Sequence, residues 1–322
     1  MVKMKKIVKT VMVGAVAAGV LFPTQAFAKI DELQGEAYTS IGVSVTNNQE
    51  TYNNTINLLG AKDTEIDNIM VVDGVAIDTY LGDGSDVNTT VFSSAHISFN
   101  EDATGVTVEV KTPETILDVT QATYINAAIT SGIQDAHITI ASAEPVTGEG
   151  ALAGIYAIMD REGVLEQGVS QLAQEELAII TETVEDGSNQ EQINAVMSDV
   201  KAEIAQAVQN GDIINGDKIV TIVNNTLNTY NITLPEWAKD RIVQFGTEFA
   251  QTDVAANEDT LNQLKVLSDD LFEQGGELFD GVKSKLQDPD FQREAKGFLG
   301  QMLQGLQSFF SGLGNLLGGL FS

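Results

Sequence analysis

Two histidines, 46 carboxylates and no cysteine make up the reactive inventory of this 322-residue chain. His96 and His137 each sit in a strand-like run, AHISF and HITIASA, and neither belongs to an HExxH or other paired-histidine spacing. The expectation is two locally satisfied strand histidines and no metal centre. GDGSDVN at 82–88 offers Asp83, Asp86 and Asn88 as the oxygen ligands that calcium takes. It lacks the regular acidic spacing and distal glutamate of an EF-hand, and turn chemistry explains the same residues. PVTGEGALAG at 145–154 follows a strand and opens a helix, as a phosphate-binding turn does. Its Gly148, Gly150 and Gly154 are spaced more loosely than G-x-G-x-x-G, and Glu149 stands in the turn, so the glycines read as packing residues. Ser198 and Lys201 form an S-x-x-K match in mid-helix, without the S-D-N and K-T-G partners of the penicillin-binding enzymes. No G-x-S-x-G elbow occurs, and no acidic pair is singled out for glycoside chemistry. The sequence therefore assigns no catalytic, cofactor-binding or metal-ligating residue and no cofactor, and it leans away from an enzyme.

These residues are carried by two kinds of pattern. In the first half strands and helices alternate. AYTSIGVSV reads as a strand with Ile41, Val43 and Val45 on one face, and Thr46 with Gln49 reads as a capping box opening a helix that Gly60 ends. IDNIMVV, VAIDTYL, AHISF and GVTVEV read as further strands. A helix is expected from about Val119 to Ile129, then the strand HITIASA and a helix over ALAGIYAIM. After Gly163 the strand signal stops. Ser188 and Glu191 read as a second capping box, ahead of a helix whose Ile193, Val196, Val200, Ile204 and Val208 form one stripe. Helices follow over DKIVTIVNNTLNTY, over PEWAKDRIVQFGTEFA and over DTLNQLKVLSDDLF. The fold class is α+β or α/β: a strand–helix alternating domain at 29–163, then a helical region at 164–287.

Residues 1–28 read as a cleavable secretory signal. Lys3, Lys5, Lys6 and Lys9 precede an apolar stretch from Val11 to Phe22, and Ala26-Phe27-Ala28 supplies the small-x-small site. That core is too short to span a bilayer. The expected location is secreted or associated with the cell envelope, with cleavage after Ala28. Losing four lysines and no acid takes the formal charge from -29 to -33. Such a field excludes nucleic acid and anionic surfaces as partners, because both are held by basic side chains. Without cysteine there is no disulfide, thiol nucleophile or thiolate-bound metal, so the exported chain must be held by its core.

The segment from Ala37 to Met159 resembles the domain of unknown function 1002 family, the YpuA-like exported proteins of Gram-positive bacteria. The resemblance is carried by GVSVTNNQETYNNTINLLG, YLG at 80–82, SSAHISFNEDATGVTVEVKTPETIL and YINAAITSGIQDAHITIASAEPVTGEGALAG. YNITLPEWAKDRIV, further on, is similar to the family's helical part. What the resemblance implies is an exported protein; it brings no catalytic residues to carry over.

The last segment, 288–322, stands outside that pattern. Asp288-Pro289 reads as an N-cap and first helical residue, and no charge occurs from Gly297 onward. Leu299, Met302, Leu306, Phe309, Leu313, Leu316 and Leu320 follow three-four spacing, widened by Leu303, Phe310 and Leu317, with Gln, Ser, Asn and Gly opposite. Seven glycines cost such a helix roughly 7 kcal/mol against alanine. Burying the twelve Leu, Met and Phe side chains from Gly297 onward would return roughly 20 kcal/mol. The stripe is therefore expected to be covered by a membrane surface, by the same chain or by another chain, including a homo-oligomer. The functional expectation is an exported, non-enzymatic protein acting through protein or membrane-surface contacts. The alternative is an extracytoplasmic hydrolase whose carboxylates only the fold would bring together.

Overall fold

The computed structural model describes residue 30 and residues 32–100, 105–165 and 167–274. A five-stranded sheet is formed by β1 (Ala37–Gly42), β2 (Ile69–Val72), β3 (Ser94–Phe99), β4 (Val106–Val110) and β5 (Ala136–Ala141). Its strand order is β2-β1-β3-β5-β4, so the sheet is mixed. The outer pairs β1–β2 and β4–β5 are parallel, and β3 runs antiparallel to both of its neighbours. Around it stand α1 (Gln49–Leu59), α2 (Gly74–Leu81), α3 (Gln121–Thr130) and α4 (Glu149–Arg161). The rest is helical: α5 (Gln167–Glu185), α6 (Gln190–Gln209), α7 (Gly216–Tyr230), α8 (Glu236–Phe249), α9 (Asp253–Ala256) and α10 (Glu258–Gln274). The architecture is α+β, with the strand-rich half first.

One sheet face is apolar. Ala95, Ile97, Phe99, Val108, Ile138 and Ile140 point into a core completed by Tyr124 of α3 and by Leu152, Ile155 and Tyr156 of α4. Alternation along each strand sends the intervening residues, Thr39, His96, Ser98, Thr107, Glu109, His137 and Thr139, to the opposite face. One end of that opposite face is covered by α1, where Leu59 packs with Ile41 and Ala141, helped by the partly buried Tyr52 and Ile56, and Thr39 and Thr139 on the same face are buried as well. A second core belongs to the helices, where α6 contributes Ile193, Val196, Val200 and Ile204 to the stripe its spacing predicts. Helix α3 belongs to both cores: Ala122 and Ile129 face the bundle, while Tyr124, Ala127 and Ala128 face the sheet.

Several local expectations give way to competing chemistry. β1 stops at Gly42, and Val43–Asn47 form a 3-10 turn. There the chain leaves the ladder because Ser44 N donates to Val91 O at 3.0 Å and Val91 N donates back to Ser44 Oγ at 3.0 Å. The cap of α1 is not Thr46 but Asn48, whose Oδ1 accepts from Glu50 N and Thr51 N at 2.8 and 3.1 Å. The cap of α6 is Asn189 rather than Ser188. VAIDTYL is a helix and not a strand. Asp73 caps it by accepting from Ala76 N, and Gly82 ends it at φ 66°, so β-branched composition yields to the two caps.

Candidate functional site

The S-x-x-K pair is fully buried. On α6, Ser198, Asp199 and Lys201 are all 0% exposed. Lys201 Nζ pairs with Glu176 Oε1 of α5 at 2.7 Å and donates to Thr130 Oγ1 at 2.9 Å and Asn126 O at 3.1 Å, both on α3. The ammonium thus has three oxygen neighbours, two of them hydrogen-bonded. Burial pushes the Lys201 pKa down while Glu176 pulls it back up. Ser198 Oγ instead donates to Leu264 O of α10 at 3.2 Å and accepts from Ser268. Ser268 also bonds Asp199, which accepts from Tyr230 Oη of α7 at 2.6 Å. Ser198 and Lys201 thus belong to separate networks, one tying α6 to α10 and α7, the other tying it to α3 and α5. Neither arrangement exposes a nucleophile. Glu176 and Asp199 carry no signal in the sequence, since their partners lie on other helices.

The glycine turn is filled by its own protein. A Cβ on Gly148 would stand 2.6 Å from Tyr124 Oη, and that residue has φ 110°; one on Gly154 would stand 2.1 Å from Ser40 Oγ. Tyr124 Oη donates to Gly148 O, and Ser93 Oγ accepts from Ala151 N at 3.0 Å. A side-chain hydroxyl thus takes an amide that an anion would need, and Glu149 sits beside it. Burial raises the Glu149 pKa, and Asp83 and Asp118 raise it further. In the 82–88 loop, Asp83 accepts from Ser85 N and Oγ, and Asp86 from Asn88 N and Nδ2. These are turn bonds within the loop. Among the described residues no group of three His, Asp or Glu is placed to hold a metal ion.

The remaining polar chemistry lies on the sheet face opposite the main core, where Thr39 and Thr139 are buried, His96 is half-buried and His137 and Glu109 are exposed. Register places Thr39, His96, Thr139 and Glu109 side by side across β1, β3, β5 and β4. In the next row Ser98, His137 and Thr107 stand abreast. The two histidines are therefore diagonal neighbours on adjacent strands. Thr39 Oγ1 lies 2.9 Å from His96 Nδ1, and Thr107 Oγ1 lies 2.8 Å from His137 Nδ1. His137 Nε2 has Glu109 Oε2 at 4.0 Å, and Glu109 Oε1 is 2.5 Å from Lys111. Burial lowers the His96 pKa, and His137 lowers it further. A separate groove of about 120 Å³ runs between the start of β4 and α10, lined partly by Asp135, Asp259, Asp270 and Val266. The ten residues of the expected contact stripe, Leu299 to Leu320, lie outside the described residues, as does the leader at 1–28.

A family model described as protein of unknown function (DUF1002) matches residues 41–267. The chain belongs to this family. The matched span of this DUF1002 protein takes in both histidines, the glycine turn and the bundle down to α10. The uncharacterized protein YpuA of Bacillus subtilis (strain 168) is 27% identical over 181 residues, covering 54% of this chain and 60% of that protein. The chain thus matches about three-fifths of that relative's length. No solved structure gives a significant match. The recognised sequence pattern and the family match agree on the strand-rich half and the helices.

Proposed function

We propose that the mature DUF1002 protein works outside the cytoplasm without catalysis, by contact with a protein or membrane surface. The observation that carries this reading is where the fold spends its reactive side chains. Ser198, Asp199, Lys201 and Glu176 are each at most 1% exposed and are consumed in hydrogen bonds that tie helices together. A hydrolase needs such groups within reach of a substrate. The leader supports export, and the uncharged Leu/Phe stripe at 299–320 supplies the apolar surface for contact.

Two measurements test it. Intact mass of the extracellular protein should start at Lys29; a mass retaining residues 1–28 defeats the export reading. Flotation with neutral vesicles should recover the mature protein and not a version ending at residue 287, and added salt should leave binding unchanged. If neither form floats and truncation lowers the melting temperature or dissociates an oligomer, the stripe is packing surface and the membrane contact is withdrawn.

A further inference from the structure

We propose that His96 and His137 form a two-imidazole site for a first-row divalent transition ion, copper, nickel or zinc, on the sheet face opposite the main core. They are the chain's two histidines. From positions 41 residues apart in sequence, the β3–β5 register brings them to diagonal positions on one face. Diagonal cross-strand neighbours stand about 7–8 Å apart, within reach of long side chains. Two imidazoles extending from there can meet one ion at the usual metal–nitrogen distance of about 2.0–2.1 Å.

The orientation of the rings is the second argument. Thr39 holds His96 and Thr107 holds His137, in both cases at Nδ1. In the tautomer that donates Nδ1–H to the threonine oxygen, the Nε2 lone pair is left for a metal, the arrangement that supporting partners of histidine ligands provide. Thr39 is itself positioned by Thr64, whose Oγ1 is 3.3 Å away. The His137 side chain is 47% exposed, which gives an ion a way in.

Chemistry then selects the ion. Imidazole nitrogen suits copper, nickel and zinc, whereas calcium and magnesium prefer oxygen. The strongly negative chain raises the local concentration of any cation. Glu109 pairs through Oε1 with Lys111 and stands with Oε2 4.0 Å from His137 Nε2, and among the described residues no group of three His, Asp or Glu is placed to hold an ion. Water fills the remaining positions, so the bound ion keeps sites open to an exogenous ligand.

The test uses tag-free mature protein stripped with a chelator, titrated calorimetrically near neutral pH with copper, nickel and zinc, and with calcium and magnesium as controls. One equivalent of copper should bind saturably and more tightly than nickel or zinc. His137→Ala, at an exposed position, should abolish that equivalent, and His96→Asn should do the same. Thr107→Val leaves both ligands and should weaken binding about 10- to 100-fold through loss of orientation. Circular dichroism confirms that each variant is folded; if His96→Asn is not, the other two carry the decision. Absence of saturable copper binding, its retention in His137→Ala, or equal competition by calcium overturns the proposal. The tail truncation that tests membrane contact should leave this binding unchanged, so the two readings fail separately.

Discussion

Lys201 and Asp199 sit two positions apart on α6, and burial works against the charged form of each. For Lys201 the ion pair with Glu176 and two further oxygen partners compensate. Lys201→Met strands Glu176 in the core without its cation, and removing one partner of a buried pair costs about 3–5 kcal/mol. Urea unfolding should show a loss of that size, and Lys201→Met combined with Glu176→Leu should recover part of it; a loss below about 1 kcal/mol would show that water enters the site. Asp199 behaves differently. Burial pushes its carboxyl up to about 7 despite the hydrogen bonds from Ser268 and Tyr230, with Glu203 and Asp269 adding to the rise. The ordinary value is about 3.9. A raised folded pKa means stability that is fully present below about pH 4 and lost as pH rises through about 7. The predicted outcome is that Asp199→Asn melts higher than the parent at pH 8 and that the gap closes towards pH 5. General charge repulsion also eases on acidification, so the comparison between the two proteins isolates this carboxyl. A gap independent of pH would refute the assignment.

At the scale of elements, close approach decides α4. Its Gly154 faces Ser40 of β1, and an added Cβ would meet Ser40 Oγ at 2.1 Å and Ser40 Cβ at 2.6 Å. Gly154→Ala should therefore destabilise by about 1–3 kcal/mol although alanine is the better helix former. An unchanged or raised melting temperature would mean the helix can lift off the sheet without loss. Asn48→Ala should cost about 1 kcal/mol by removing the cap of α1, whereas Thr46→Ala should cost less, because Thr46 Oγ1 only closes a local turn onto Val43 O. Periodicity made the long elements legible. α3, α4, α6, α7, α8 and α10 fall where their apolar stripes put them, and α5 takes the stretch between Gly163 and the second cap. Short elements were not legible in this way. VAIDTYL has strand composition but packs as a helix against α4, with Tyr80 and Tyr156 6.5 Å apart, because a cap and a glycine stop with only eight residues between them leave room for two turns.

Across the whole molecule the two cores are joined through α3. Asn126 Nδ2 donates to Asn194 Oδ1 at 3.0 Å, and Thr130 Oγ1 donates to Glu176 Oε2 at 2.5 Å, so the sheet unit meets the bundle through buried polar groups. A domain running from residue 29 to 163 is therefore tested most directly by expressing it alone. Such a fragment exposes Ala122 and Ile129 and leaves those polar groups to water, so it should unfold cooperatively but at a lower temperature than the full chain. If the fragment has no cooperative transition, the two halves fold as one unit. Gln263 adds a further tie, since its Oε1 accepts from Val106 N of β4 at 3.1 Å. Gln263→Ala should loosen α10 from the sheet edge, read as faster amide exchange at Val106.

The sequence by itself determined the order of strand-rich and helical halves, the stripes that face each core, the acidic balance and the absence of thiol chemistry. These are properties of composition and of local period, which survive without a partner. It also identified the family pattern. Only the tertiary structure decided that Ser198 and Lys201 are sealed in different networks, that Ser93 and Tyr124 fill the glycine turn, and that His96 and His137 share one face. Strand parity assigns a side chain to one of two faces, but which strands lie side by side, and in what register, is set by long-range pairing that no local spacing encodes. The histidine pair is a product of that register, and a one-residue slip of β5 would send His137 into the core and leave His96 alone.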